Sequence, residues 1–600
     1  MNDKLLSYYE RELTFIRKLG AEFARKYPKI AGRLLLEPDR CADPHTERLI
    51  EAFALIAGRI HHKIDDDFPE ITESLLSIIY PHYVSPIPSM SVVEVCPLKQ
   101  AVPPTGYRIP KGTALFSKPV GGTPCQFRTA YPLTLWPVEV VSATLRDPKK
   151  LVKNAQQAIV IQMKAFNNQS ISQIGWEALR FFLNGAHQHV FHLYELIFNN
   201  LCHVECEATD KKGQNQVIAL AREDVQPVGF GPDDVMLPYA RRSFPGYLSL
   251  LEYFCFPEKF LFFDLTGLRQ TRDRELADTL DIWIYLDRSA KTDLVISKDT
   301  FCLNATPAVN LFRRVAEPIR VEQEKTEYHV IPDIRRQEAT EVFTVDRVTA
   351  SDASAPGKEF EVRPFYSIRH HLDEEYGHRR AFWHLQRLPS GRKGDDGTEV
   401  FLSFADLDFD PADPGVETLN VYTTCTNRDL PSRLPFGDPT GDFTLETAAP
   451  VARITCLMKP SPTRRSPLGG ALQWRLISHL SLNYMSLVQG GEDALREILR
   501  LYDFDDSPTT RQQINGLVSI QSRQVTKRVG QSFCRGVQVT IEFDEDKFVG
   551  AGLYLFASVL ERFLGQYVSV NSFSQLVART VQKKGALKTW PPRNGDRVLL

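Results

Sequence analysis

Histidines and cysteines gather in one stretch, HQHVFHLYELIFNNLCHVEC, which runs from residue 187 to residue 206. Imidazole and thiolate are the ligands that zinc prefers, so a metal-dependent hydrolase is one hypothesis for this chain. The spacing is unusual, because CxxxC with a histidine inside is not a standard zinc motif. A second pair of ligands at the sequence spacing of a zinc knuckle is also missing. A half-buried segment with polar histidines at its edge is the interpretation we favour. The candidate ligands are His187, His189, His192, Cys202, His203 and Cys206.

A second histidine patch, HRRAFWH at 378–384, follows His370 and His371 and lies near three carboxylates at 373–375. Imidazoles beside carboxylates can transfer protons, yet a solvated charged loop is the simpler interpretation. The acidic run at 65–67 offers oxygen ligands for a divalent cation. Its position after a predicted helix and before Pro69 favours a helix-end or capping cluster.

The established enzyme motifs are missing from the sequence. GxSxG, GxxxxGK[ST], HExxH and a strand-linked GxGxxG do not occur. Cys425 could be imagined as a nucleophile, but no histidine is adjacent to it in the sequence. In CTNRDLP, which begins at Cys425, we expect Asn427, Arg428 and Asp429 to fix a loop through hydrogen bonds and charge. The expectation is therefore a chain without catalytic residues, cofactor or metal.

Composition places the chain among soluble globular proteins. It has 600 residues, of which 43% are hydrophobic and 24% charged, and a formal net charge of -2. That length favours about three or four domains. Without a basic excess to neutralise phosphates, nucleic acid is not expected as a partner.

The cysteines and the apolar segments indicate the cellular compartment in which the chain is expected. The ten cysteines are mostly single and in apolar context, which is typical of buried free thiols in a reducing compartment. The N-terminus is charged within its first four residues and has no long apolar core, so a signal peptide is not expected. The most apolar stretch, 247–268, contains Glu252, Pro257, Glu258 and Lys259, which argues against a membrane span and for a protein core. We expect a cytoplasmic chain without direct membrane insertion.

Apolar residues at helical spacing dominate the first ninety residues. Asp43 followed by Pro44 predicts the start of a second helix, and a third runs from about Pro69 to Tyr80 before Pro81. An amphipathic helix with little around it favours a bundle whose other members include a second chain. The stripe of the first helix is Leu5, Tyr9, Leu13, Ile16, Phe23 and Tyr27, and that of the second is Leu49, Phe53, Ile56, Ile60 and Ile64.

From about Pro86 the pattern changes to short strands separated by Pro and Gly. SVVEVCPL, AIVIQMKAF, LTLWPVEVVSATL and DIWIYLD are predicted strands, as are EVFTVDRV, GTEVFLSFADLDF and TLNVYTTC further on. The segment KPSPTRRSPLGG, at 459–470, has the composition of a linker.

Near the C-terminus the pattern predicts a β-α-β unit. GVQVTIEF is a strand, the apolar residues from Leu553 to Tyr567 form a helix, and VSVNSFSQLV returns as a second strand. The predicted fold class is α+β with several domains. Their ranges are an N-terminal helical region at 1–85, β-rich, sandwich-like domains at 86–340 and 341–458, and an α/β domain at 471–600.

Several long stretches of the sequence resemble one family, TssF (also called VasA or ImpG), the baseplate subunit of the type VI secretion system. The resemblance covers nearly the whole chain and keeps the order of the family. The stretches are LLSYYERELTFIRKLGAEFARKYPKIAGRL, DPHTERLIEAFALIAGRIHHKIDDDFPEITESLLSIIYPHY, PGYLSLLEYFCFPEKFLFFDLTGL, ATPAVNLFRRVAEPIRV, YHVIPDIRR, CTNRDLPSRLPFG, WRLISHLSLNYMSL and VLERFLGQYVSVNSFSQL.

The resemblance implies a non-enzymatic part of a contractile injection machine, with a fold like the wedge proteins of phage baseplates. It implies a wedge of two TssF copies and one TssG, with TssK trimers and TssE, and six wedges around the VgrG spike hub. This baseplate would dock at the inner-membrane complex and serve as the platform for sheath and tube assembly.

Three hypotheses remain at this point: the assembly subunit, the metal-dependent hydrolase that uses residues 187–206, and a β-sandwich module that binds glycans or a membrane surface. The first predicts surfaces for partner proteins. The candidate interface residues are Leu5, Tyr9, Leu13, Ile16, Phe23, Tyr27, Asn571 and Gln575.

Overall fold

A computed structural model of the chain shows a mixed helix and strand architecture, which confirms the predicted α+β class. The chain divides into two compact units, residues 1–77 with 467–480 and residues 78–466 with 481–600. The structure describes residues 9, 12–14, 16–17, 23, 26–31, 44–66, 69–148, 152, 154–210, 212–238, 245–290, 294–321, 325–351, 359–365, 381–406, 418–466, 473, 476–477, 492–529, 532–566, 568 and 572–595.

The first unit is helical wherever its secondary structure is described between residues 9 and 77, apart from Tyr27. Helix α1 is Pro28–Ala31, α2 is Pro44–Asp66 and α3 is Pro69–Ile79. The prediction that a helix begins at Pro44 is confirmed, because proline has no N–H to lose in the first turn and its fixed φ suits a helix start. The prediction that α3 begins at Pro69 and stops before Pro81 is also confirmed.

The second unit contains six further α-helices within the described residues. They are α4 Pro81–Val84, α5 His187–Asn199, α6 Pro245–Cys255, α7 Glu492–Arg500, α8 Pro508–Asn515 and α9 Leu553–Gly565.

The strands of the second unit are numbered in chain order. The first fifteen are β1 Met90–Pro97, β2 Tyr107–Ile109, β3 Ala114–Val120, β4 Thr123–Thr129, β5 Leu133–Leu135, β6 Val138–Arg146, β7 Gln157–Ala165, β8 Leu179–Leu183, β9 Leu201–Thr209, β10 Asn215–Leu220, β11 Val225–Pro227, β12 Phe262–Leu265, β13 Thr279–Leu286, β14 Phe301–Cys302 and β15 Ala305–Val309. The others are β16 Phe312–Val315, β17 Ile319–Arg320, β18 Tyr328–His329, β19 Glu341–Ser351, β20 Glu359–Pro364, β21 Ala381–Pro389, β22 Thr398–Asp406, β23 Thr418–Thr426, β24 Phe443–Leu445, β25 Val451–Cys456, β26 Leu517–Val529, β27 Ser532–Phe543, β28 Ser572–Thr580, β29 Ala586–Thr589 and β30 Arg593–Asn594.

Six strands close into a barrel in the order β1-β15-β4-β3-β24-β25. Its core holds Phe127 and Phe443, whose ring centroids lie 5.2 Å apart in an edge contact. Strands β24 and β25 fall in the range 341–458, yet they pair with strands of the range 86–340. The barrel thus takes strands from both predicted β-rich domains, and the boundaries between them stay a prediction.

A five-stranded sheet, β10-β9-β13-β7-β6, lies in the same unit as a four-stranded sheet, β11-β12-β8-β14. The aromatic stretch at 247–268 supplies α6 and β12, and most of its large side chains are buried, as predicted for a core. Its charged residues are paired inside that core, where Glu252 accepts a hydrogen bond from Lys259 and both side chains are at most 2% exposed. A buried charge is tolerated only when paired in this way.

An eight-stranded sheet contains the predicted strands of the second β-rich range, in the order β16-β23-β19-β20-β21-β22-β18 with β17 beside β23. Its core includes Val348, Trp383, Leu402 and Val421.

The predicted β-α-β unit is confirmed at the C-terminus. Strand β27 pairs in parallel with β28, from Arg535 opposite Ser572 to Phe543 opposite Thr580, and helix α9 connects them. Leu560 and Phe563 of α9 are fully buried. A helical crossover is what two parallel neighbours require, since a tight turn cannot join them.

Candidate protein-interaction surface

The histidines and cysteines at 187–206 are divided between helix α5 and strand β9. His187 donates to Glu258, with 3.0 Å between Nε2 and Oε1, and this hydrogen bond raises the pKa of the imidazole above its ordinary value. Cys202 donates to the carbonyl of Tyr285, and burial raises the pKa of Cys206 to about 12. Throughout the described part of the chain, no group of three or more His, Cys, Asp or Glu side chains is arranged to hold a metal ion. The hypothesis of a metal-dependent hydrolase therefore has no support in the geometry.

The second histidine patch lies largely outside the described residues, which omit 366–380. His384 belongs to β21 and faces Ser403 across the strand pair. Residues 65 and 66 end helix α2, as predicted for a helix-end cluster, and Asp67 lies outside the described residues.

The loop that begins at Cys425 is fixed as the sequence predicted. Asn427 accepts hydrogen bonds from the backbone of Gln126 (2.7 Å) and the amide of Asn310 (2.8 Å). Arg428 has a left-handed φ of 54° and pairs with Asp395 at 2.6 Å. Burial raises the pKa of Cys425 to about 12, so its thiol is not activated as a nucleophile. These residues are structural.

Gln575 is buried in the C-terminal sheet and is only 5% exposed. Its amide donates to the carbonyl of Trp590 at 2.8 Å, and its oxygen accepts from Lys527 (2.8 Å) and Gln538 (3.1 Å). Its polar atoms are thus paired within the chain. Asn571 lies outside the described residues, and a partner contact through either residue stays a prediction.

The predicted stripe of the first helix is only partly covered within its unit. Tyr9, Leu13 and Ile16 are half-buried, whereas Phe23 is 38% and Tyr27 45% exposed. The rings of Phe23 and Tyr27 touch, with centroids 5.3 Å apart. Leu5 lies outside the described residues.

Helix α2 presents a larger uncovered stripe. Leu49 is 70% exposed, Phe53 64%, Ile56 56% and Ile60 52%. Spacings of four, three and four residues place these side chains in one row along the helix. The row therefore forms an apolar ridge, called the α2 stripe below.

The fully buried positions of α2 among the residues whose burial is described carry small side chains. Ala54 has no exposed surface and Gly58 is buried. Small side chains let a neighbouring backbone approach closely. The helix also pairs across the unit, where Arg17 meets Glu47 at 2.5 Å. The large apolar residues of α2 are therefore exposed among the described residues, whereas its small residues are buried.

No helix within the described residues is long and apolar enough to cross a membrane. The α2 stripe is interrupted by polar and charged neighbours such as Arg48 and Arg59, both exposed. An apolar row with a polar rim on a protein surface marks a protein–protein contact more often than an isolated apolar residue does.

Comparison with known proteins gives a consistent result. The family described as "Type VI secretion system, TssF" matches residues 1–597 of the chain. The type VI secretion system component TssF1 of Pseudomonas aeruginosa is 36% identical over 625 aligned positions, which cover 100% of both chains.

Two solved structures match over most of the chain. A chain of the TssK-TssF-TssG baseplate subcomplex of the type VI secretion system, determined by cryo-electron microscopy, has a TM-score of 0.73 and 27% identity, and the match covers 92% of this chain and 99% of that one. A chain of the baseplate complex from the type VI secretion system has a TM-score of 0.61 and 26% identity, with 99% and 100% covered.

Proposed function

The chain belongs to the TssF family and is a baseplate component of the type VI secretion system, and we propose that it acts there as a structural wedge subunit. In this role it performs no catalysis and binds no cofactor. It works through surfaces that hold other baseplate proteins together.

The proposed partners are TssG and TssK in the first place. The similar chain in the TssK-TssF-TssG subcomplex supports both, because 99% of that chain is covered by the match. Two copies per TssG, contacts with TssE and a second copy, and six wedges around the VgrG spike hub are further parts of the proposal. So are docking of the cytoplasmic baseplate at the inner-membrane complex and its use as a platform for sheath and tube.

The α2 stripe is the observation that supports an assembly role most directly. Its four large side chains are each more than half exposed. Burying one such side chain fully contributes about 1.5–3 kcal/mol. Burial of the four side chains against a complementary helix therefore contributes a free energy of several RT to association. A helical bundle shared with TssG buries the α2 stripe in this way.

The test is co-expression with the TssG protein of the same organism, followed by native mass spectrometry of what co-purifies. The Phe53→Asp/Ile56→Asp variant places two charges in the α2 stripe. The matched control, Arg48→Gln/Arg59→Gln, changes the net charge by the same amount at exposed positions on the flank of the same helix. A parallel variant, Leu13→Asp/Ile16→Asp/Phe23→Asp, tests the first helix.

We expect a complex of two copies with one TssG for the natural chain and for the control, and loss of the complex for the stripe variant. If the complex still forms with the stripe variant and with the first-helix variant, the baseplate role stands but the N-terminal helical region is not the contact with TssG. A stable chain that binds no TssG at all would reject the wedge subunit.

A further inference from the structure

Strands β26 and β27 form a hairpin that extends beyond the rest of the C-terminal sheet. They pair from Leu517 opposite Phe543 to Val529 opposite Ser532. Strand β28 pairs with β27 only from Arg535 onward. The end of the hairpin past Arg535 is therefore a two-stranded ribbon, which has few neighbours to stabilise it.

Strand β26 is the outer strand of its sheet, in the order β26-β27-β28-β29. Among the described residues no strand pairs with its outer edge. It has 13 residues, about twice the length of an ordinary strand. At its base, the side chain of Arg496 donates to the backbone carbonyl of Leu517. An edge of this length presents a row of backbone N–H and C=O groups that can pair with another strand.

The hairpin is strongly basic. Residues 517–543 contain four basic residues, Arg523, Lys527, Arg528 and Arg535, and one acidic residue, Glu542, which lies opposite Ser519 near the base of the hairpin. Within the described part of the chain, Arg523 donates to Gln538 at 2.7 Å and Lys527 to Gln575 at 2.8 Å, so both interact with neutral amides instead of carboxylates. Four positive charges against one negative charge give the hairpin a net charge of +3 in a chain whose net charge is -2.

The positive charge of the hairpin also indicates which kind of strand can pair with the outer edge of β26. Basic residues on an edge strand oppose pairing with the identical edge of a second copy, because like charges across a strand pair repel. They attract an acidic strand by the same rule. Phe533, one residue into β27 from the hairpin end, is 76% exposed and offers an apolar contact beside the charges.

We propose that the outer edge of β26 is a docking site for an extended acidic segment of a partner protein, which adds to the sheet as a further strand. Backbone hydrogen bonds hold the segment in register, and its carboxylates lie beside the exposed side chain of Arg523 in the positive field of the hairpin. This surface is separate in sequence from the α2 stripe, and the proposal does not depend on the contact with TssG.

The test uses the full chain and a fluorescein-labelled peptide of alternating glutamate and valine, about ten residues long, with binding followed by fluorescence anisotropy. Two further probes share its length: the same peptide with alternate backbone nitrogens methylated, and one in which lysine replaces glutamate. N-methylation keeps the charge and removes the N–H groups that a strand needs.

The Arg523→Glu/Arg535→Glu variant changes the net charge of the hairpin from +3 to -1, since two bases then stand against Glu542 and two new acids. Both positions are exposed, so folding is expected to persist, and circular dichroism checks it. The control Arg108→Glu/Arg146→Glu makes the same change in charge at exposed positions elsewhere.

We expect the glutamate peptide to bind the natural chain and the control with affinities within about twofold of each other, and the hairpin variant at least about tenfold more weakly. The methylated and lysine peptides should also bind at least about tenfold more weakly. Absence of binding to the natural chain would overturn the proposal. Equal binding of the methylated peptide would overturn it as well, because attraction by charge alone needs no strand.

Discussion

Arg465 holds the buried carboxylate of Glu341 from a position 124 residues further along the chain. Its Nη2 lies 2.6 Å from Oε2 of Glu341, and its Nε lies 3.1 Å from Oε1. Glu341 has no exposed side-chain surface and also accepts a 2.7 Å hydrogen bond from Thr398. Arg465 belongs to the segment whose composition predicted a linker, so this part of the connection is fixed to the second unit.

Removal of one partner of this ion pair should destabilise the second unit strongly. Arg465→Met leaves Glu341 buried without its main counter-charge, which costs about 3–5 kcal/mol. We expect a clearly lower melting temperature by differential scanning calorimetry. The control is Lys99→Met, because the Lys99–Glu139 pair is exposed on both sides and is worth less than about 1 kcal/mol. Equal effects of the two substitutions would contradict a stabilising role for Arg465.

The stability due to Glu341 should depend on pH in the acid range. Burial opposes its ionisation, but hydrogen bonds and charge from Arg465, with Thr398, outweigh burial and lower its pKa below the ordinary 4.5. A lowered pKa in the folded state means that the stabilisation is complete above the ordinary value and is lost as pH falls through the folded value.

Melting temperatures of the natural chain and Glu341→Gln should therefore differ most above the ordinary pKa of 4.5 and converge as pH falls through the lowered pKa of the folded state. The double variant Glu341→Gln/Arg465→Met serves as the control, since it has neither charge and should lack this component of the pH dependence. Curves for the natural chain and Glu341→Gln that stay parallel across the acid range would show that the carboxylate is not the group responsible.

Gly536 has a neighbour that leaves no room for a side chain. A Cβ at this position of β27 would lie 2.5 Å from Cδ1 of Phe573 and would also strike its carbonyl oxygen. Phe573 is directly opposite in the parallel strand β28. Gly536→Ala must therefore separate the two strands, and we expect a loss of about 1–3 kcal/mol in the free energy of unfolding.

Gly391→Ala is the matched control for this substitution, because nothing lies within 4 Å of its added Cβ and its φ is not positive. Its melting temperature should equal that of the natural chain. A stable Gly536→Ala variant would mean that β27 and β28 can move apart without cost.

Local patterns predicted the C-terminal unit well, because an alternating strand, a 3.6-residue helix and a second strand follow one another along the chain. They could not predict the barrel, since β1 pairs with β15 and β25, which lie hundreds of residues further along the chain, and strand order does not follow from sequence order. The polar edge strand β26 was also missed, because its exposed Gln521, Arg523 and Gln524 break the apolar alternation.

The candidate interface was predicted only in part, for a physical reason. Helical spacing identified the stripes of both N-terminal helices, but periodicity does not reveal what covers a stripe. In the structure Tyr9, Leu13 and Ile16 are half-buried, whereas Phe53 is more than half exposed. Ala54 and Gly58 of α2 are buried instead, and small residues give no strong signal in an apolar pattern.

Cysteine reactivity gives a last test that distinguishes the hairpin from the core. Burial raises the pKa of Cys206 and of Cys425 to about 12, whereas Cys534 of β27 is only half-buried. At pH 8 a thiol with a pKa of about 12 is thiolate in only about one molecule in ten thousand, so Cys206 and Cys425 react slowly. We expect maleimide to label Cys534 much faster than Cys206 or Cys425 in the folded chain, as measured by peptide mass spectrometry over time. In urea the three should react at similar rates, and rapid labelling of Cys206 without urea would mean that the sheet containing β9 opens readily.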